Sequence, residues 1–133
     1  MIKAEDLRIG DLVQHESHVL KITGLHNIGS VFTEHRIMGE NELTPIPITT
    51  EILEKNGFDI RRPKEWYSKF IGHYSKYISK YISIEYDECN SIGWKVFIKY
   101  DKLSKYANLR KIHYVHELQH ILWALGEDAN LTI

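Results

Sequence analysis

Two residues, Glu16 and Ser17, separate the β-favouring run 12–15 from the run 18–23, and so short a gap admits one kind of connection. A parallel crossover needs a dozen or more residues, so runs this close pair as an antiparallel hairpin. Asn27-Ile28-Gly29 then turns the chain into a third run, Ser30-Val31-Phe32-Thr33, and the hairpin grows into a meander punctuated by Gly10 and Gly24. The next segment, Leu43-Thr44-Pro45-Ile46-Pro47-Ile48, carries two prolines that have no amide to give a sheet ladder. It reads as an extended connector or a sheet edge.

Helix signals follow. Thr49 or Thr50 can cap the first amides of a helix over 50–56, Glu51 suits its positive end, and Asn56-Gly57 is a left-handed stop. Leu53 and Phe58 then fall where a Schellman-type end places its apolar contact. Farther on, 81–86 and 94–100 are β-rich runs joined by a polar, glycine-containing loop that holds Cys89. A β-like stretch over 109–112 leads into a helix over 114–125, closed by Gly126, and Leu131-Thr132-Ile133 reads as a short edge strand. No linker, repeat or low-complexity tract divides the chain. The expectation is one α+β domain over 1–133: a small antiparallel meander or partly open barrel with a short central helix and a C-terminal helix.

The chain has 133 residues, 43% of them hydrophobic and 26% charged, which suits a folded globule with one modest core. Its single cysteine forms no internal disulfide, no apolar run approaches a membrane span, and no signal-peptide core follows Met1. A reducing cytoplasm is the expected location.

The net charge of −1 gives no bulk attraction to nucleic acid or membrane, yet it averages over a strong asymmetry. Residues 61–80 sum to +5 and the remainder to −6. The cationic stretch is also the most aromatic. As a helix, 64–80 would carry an apolar stripe through Tyr67, Phe70, Tyr74 and Tyr77; as strands, its aromatic content favours a sheet. Arg and Lys pair with phosphate while Trp and Tyr faces stack on bases. Arg61, Arg62, Lys64, Trp66, Tyr67, Lys69, His73, Tyr74, Lys76 and Tyr77 are therefore candidate ligands for a small anionic, nucleotide-like molecule. The competing reading is a solvated cationic edge that protects a strand from aggregation. Nucleic acid itself is disfavoured, since the +5 is offset elsewhere.

One pentapeptide looks like chemistry. His116-Glu117-Leu118-Gln119-His120 matches the pattern in which two histidines one helical turn apart bind Zn²⁺ and the glutamate activates the bound water. A zinc metallohydrolase with His116 and His120 as ligands, Glu117 as base and Cys89 as third ligand is the catalytic alternative. Three observations weigh against it. With 8 histidines in the chain, about 0.04 such matches arise by chance. The apolar stripe of the helix runs through Ile112, Val115, Leu118, Leu122 and Leu125, so the two histidines point away from its centre and read as surface residues. No histidine follows His120 to complete a ligand set.

The opening Leu7-Arg8-Ile9-Gly10-Asp11-Leu12-Val13, the middle Leu43-Thr44-Pro45-Ile46-Pro47-Ile48-Thr49, the Gly57-Phe58 stop and the ending from Tyr114 to His120 through Ala124-Leu125 resemble a family of small uncharacterised proteins. Its members are encoded by phages and mobile elements of gut anaerobes. The family's closing signature is Tyr-x-His-Gln-Leu-Gln-Asn. His116, Leu118 and Gln119 match it, whereas Glu117 and His120 stand where the family has Gln and Asn. The resemblance thus implies that neither a base nor a second histidine ligand is what these positions supply. It implies instead a packing and hydrogen-bonding set that docks the C-terminal helix on the sheet. In that setting the expected function is a non-enzymatic accessory protein, without cofactor, that binds a small nucleotide-like ligand or a host protein, for instance to counter host defence. A protein-interaction subunit, with a homodimer as one form, is the further alternative.

Overall fold

The structure is a computed structural model that describes residues 2–61, 73–77, 81–86, 94–99 and 106–133. The chain groups into two compact units. The first comprises 1–48, 114–131 and 133, and the second comprises 49–113 and 132.

In the first unit, β1 (Leu12–His15) and β2 (His18–Leu25) form the expected hairpin, closed by His15 opposite His18. Glu16 and Ser17 take φ of 47° and 69°, the left-handed pair that matches the twist of a tight hairpin. β3 (Ser30–Thr33) and β4 (Ile37–Gly39) extend the sheet in the order β1-β2-β3-β4, antiparallel throughout. The pleat sends Val13, Leu20, Ile22, Val31 and Met38 into one core, each at most 4% exposed. At Gly24 the β2–β3 register slips, and a side chain there would meet the Phe32 ring at 3.2 Å.

The proline segment runs as an extended edge. Thr44 exchanges both backbone hydrogen bonds with Gln14, at 2.8 and 3.0 Å, and the Ile46 carbonyl accepts the Val115 amide at 2.8 Å. That last bond sets the entry of α2 (Val115–Ala124), which ends at Gly126 (φ 74°) with the Glu127 amide on the Leu122 carbonyl. This is the Schellman closure that glycine permits.

The second unit begins with α1 (Thr50–Lys55). Thr49 Oγ1 accepts the Ile52 amide at 3.2 Å, and the Phe58 amide returns to the Leu53 carbonyl at 3.0 Å, with both Leu53 and Phe58 buried. Five antiparallel strands follow in chain order: β5 (Asp59–Arg61), β6 (His73–Tyr77), β7 (Tyr81–Tyr86), β8 (Trp94–Lys99) and β9 (Tyr106–Ile112). Residues 73–77 of the ambiguous stretch are thus strand. The α+β class, the meander and both helices agree with the sequence reading. The C-terminal edge strand does not: Leu131-Thr132-Ile133 joins no sheet. Its place is taken by a side chain, since Asn56 Oδ1 accepts the Thr132 amide at 2.7 Å and Asn56 Nδ2 donates to the Thr132 carbonyl at 2.8 Å. One amide side chain satisfies the groups that a neighbouring strand would otherwise pair.

The two units divide the charge. The first holds four Lys and Arg against ten Asp and Glu, net −6; the second holds thirteen against eight, net +5.

Candidate functional site

The His-Glu-x-x-His residues lie on α2, where each has a structural setting. Glu117 Oε1 accepts the Tyr114 amide at 3.1 Å, closing a box around the first turn of the helix. His120 Nε2 donates to Asp11 Oδ2 at 2.6 Å; Asp11 is 3% exposed, and the same oxygen accepts the Arg8 amide at 2.8 Å. His116 is 8% exposed, its Nδ1 is buried without a hydrogen-bond partner, and burial pushes its pKa down from the ordinary histidine value. The His116 and His120 rings meet edge to face, 5.7 Å between centroids.

The expectation of two surface histidines is therefore corrected. The side of α2 beside its apolar stripe is also covered, because the 8–12 loop and the 127–130 tail hydrogen-bond to it. Gln119, 3% exposed, makes most of that contact: Oε1 accepts the Leu12 amide at 2.8 Å, and Nε2 donates to the Gly10 and Ala129 carbonyls at 3.0 and 3.1 Å. Among the described residues no group of three or more His, Cys, Asp or Glu side chains stands close enough to hold a metal ion. Cys89 lies outside the described residues.

Around this contact the first unit opens a cleft of about 550 Å³. Leu7, Ile9, Leu25 and Trp123 form its apolar walls, and Asp11 with His120 lies along it. The Arg8 guanidinium stands over the Trp123 ring, 4.9 Å from its centroid. Sequence reading missed Asp11, Gln119, Arg8 and Trp123 as one site. The only signal was an exposed tryptophan on a helix that otherwise buries its large side chains.

The second candidate is the five-stranded sheet. Of the cationic, aromatic set, Arg62, Lys64, Trp66, Tyr67 and Lys69 lie outside the described residues. Arg61 is on β5, and His73, Tyr74, Lys76 and Tyr77 are on β6. Cross-strand pairing puts Arg61, His73, Glu85, Lys95 and Lys111 in one row, and Tyr77, Tyr81, Lys99 and Tyr106 in a second row on the same face. Tyr74 and Lys76 belong to the opposite face, with Val96 and with Trp94 and Ile112, which are 0%, 5% and 0% exposed. A strand thus splits the candidate set, leaving Arg61, His73 and Tyr77 on the charged face and Tyr74 and Lys76 on the core face.

Comparison with protein-family models, curated proteins and solved structures finds no match for this chain. No helix among the described residues is long and apolar enough to cross a membrane.

Proposed function

We propose that this chain is a non-enzymatic binding protein for a small anionic, nucleotide-like ligand, taken up on the charged face of the five-stranded sheet. The supporting observation is the register. It aligns Arg61, Lys95 and Lys111 in one cross-strand row, interrupted by His73 and Glu85, and Tyr77, Tyr81 and Lys99 in another, on the face opposite buried Trp94, Val96 and Ile112. Three cations against the one carboxylate of that row suit a phosphate group, and neighbouring aromatic positions suit a base. The +5 charge of this unit favours an anion before contact is made. In the phage or mobile-element setting that the resemblance implies, such a module would sequester a host ligand or block a host defence protein.

A panel of cyclic and adenine nucleotides tests this by thermal melting. A ligand at about a hundred times its Kd stabilises the native state by about 2.7 kcal/mol. The Lys95→Glu/Lys99→Glu variant is expected to abolish the rise in Tm. No rise with any nucleotide, or a rise that this variant keeps, refutes the reading.

A further inference from the structure

The charged face of the five-stranded sheet limits the length of its ligand as well as its chemistry. Between the two rows already described runs a third, Asp59, Ser75, Ser83, Phe97 and Asn108, which the register places on the same face. Along β8 the face therefore carries Lys95, Phe97 and Lys99 at alternate positions. Alternate residues of a strand stand about 6.7 Å apart, so the two lysine positions are about 13 Å apart with the phenylalanine position midway. From this spacing we infer that the sheet face binds a short single-stranded oligonucleotide, a dinucleotide or longer, laid along β8; this rests on the reading of the face as a nucleotide site and adds the polymer class and its length.

A mononucleotide has one phosphate and one base on either side of one sugar. With its phosphate at Lys95, its base falls at the Phe97 row and leaves the row of Tyr81, Lys99 and Tyr106 unused. A second nucleotide supplies what that row suits, since one more phosphate meets the Lys99 position and one more base meets a tyrosine position. The acidic positions choose the track. Asp59 and Glu85, the carboxylates of these three rows, belong to β5 and β7, whereas the positions that β8 gives the face hold two lysines and a phenylalanine. Glu85 lies directly opposite Lys95, so Lys99, in a row without a carboxylate, is the stronger of the two phosphate positions. A duplex does not suit this surface, because its bases are stacked on one another, while a single strand can splay them onto aromatic groups. Charge does not oppose the strand: the −6 that offsets the +5 in the whole-chain count belongs to the first unit.

The test titrates the full chain with adenosine monophosphate, its 5′-phosphorylated dinucleotide, a tetra-adenylate in RNA and in DNA form, and a blunt duplex, following backbone amide resonances. The dinucleotide is expected to bind at least about fivefold more tightly than the mononucleotide, the gain of one further stacked base, and both tetra-adenylates at least as tightly as the dinucleotide. A preference between those two identifies the strand as RNA or DNA. Dinucleotide affinity should fall with salt on a log–log slope of about −1.4, the value for two phosphate contacts on a single strand. Lys99→Gln should halve that slope, and Phe97→Leu, which keeps apolar bulk but no ring, should weaken the dinucleotide at least about fivefold. Both variants are read against an amide spectrum that matches the parent outside the face. Mononucleotide affinity equal to that of the dinucleotide overturns the length and leaves the nucleotide site standing. Absence of a saturable shift with every probe removes both. A duplex that binds as tightly as the single strands, or a dinucleotide affinity unmoved in both variants, also overturns the inference.

Discussion

Replacing Gln119 with methionine keeps the volume of the side chain and removes every hydrogen bond it makes. Three partners lose their contact: the Leu12 amide and the Gly10 and Ala129 carbonyls, at 2.8, 3.0 and 3.1 Å. A hydrogen bond contributes about 1 kcal/mol net, and a buried group left without a partner costs about 1–3 kcal/mol. Gly10, Leu12 and Ala129 are only partly buried, so water recovers some of this, and the expected loss is about 2–4 kcal/mol. With an unfolding entropy of about 2.1 cal/mol/K per residue over the chain, Tm should fall by roughly 7–14 °C. Urea unfolding followed by circular dichroism measures the loss, and an unchanged m-value assigns it to the native state. Gln119→Glu should fall between, since it keeps an acceptor for the Leu12 amide and loses both donors. A Gln119→Met protein within about 0.5 kcal/mol of the parent, the range of ordinary surface changes, would refute the idea that this amide docks α2.

Four other outcomes follow from the same geometry. Ser17→Gly relieves a left-handed residue at φ 69° and should stabilise the hairpin by about 0.5–1 kcal/mol in urea, whereas Ser17→Val should destabilise it. Glu117→Gln keeps an oxygen for the Tyr114 amide and should leave stability within about 0.5 kcal/mol, while Glu117→Ala should lose about 1 kcal/mol; the reverse order would discard the capping role. Arg36 and the Gly39 amide hold the Glu42 carboxyl down at about 2, against an ordinary 4.5. Its contribution is therefore complete above pH 4.5 and lost as pH falls toward 2, a dependence that Arg36→Gln should shrink in acid titration. His116, faced by Asp11, Asp6, Glu117 and His120, is depressed from 6.5 mainly by burial. Stability should be full above pH 6.5 and decline as pH drops below it, and His116→Phe should flatten that decline in urea midpoints taken between pH 7 and 5.

Much of the fold was legible because its signals are local. The hairpin follows from a two-residue gap, α1 from Thr49 and Gly57, and the close of α2 from Gly126, each a statement about neighbours within five positions. The extended edge at Pro45 and Pro47 was legible because a missing amide is a property of the residue itself. The tail at Leu131-Thr132-Ile133 was not, because the Asn56 side chain that pairs Thr132 lies 76 positions away. The cationic, aromatic stretch marks an intermediate case. Its strand character over 73–77 was one of two open readings, and only the register separates Tyr74 from Tyr77 by face.

The His-Glu-x-x-His match shows most plainly why spacing stops short of a site. Helical periodicity correctly groups His116 with His120 on one side of α2, but it carries no information about what covers that side. Here the cover is a loop: Asp11, 109 positions from His120, turns a ring nitrogen into a part-buried hydrogen-bond donor. A metal site needs both histidines to aim free nitrogens at one point, and that aim is set by their outer partners. With Nε2 held by Asp11 and Glu117 tied to the first turn, the groups of the pentapeptide are distributed among separate tasks. His116 is left with a buried, unpartnered Nδ1, which is why the acid response is expected there and not at a catalytic centre. What this helix leaves at the cleft is accordingly an exposed indole beside a histidine whose Nε2 is already engaged by Asp11.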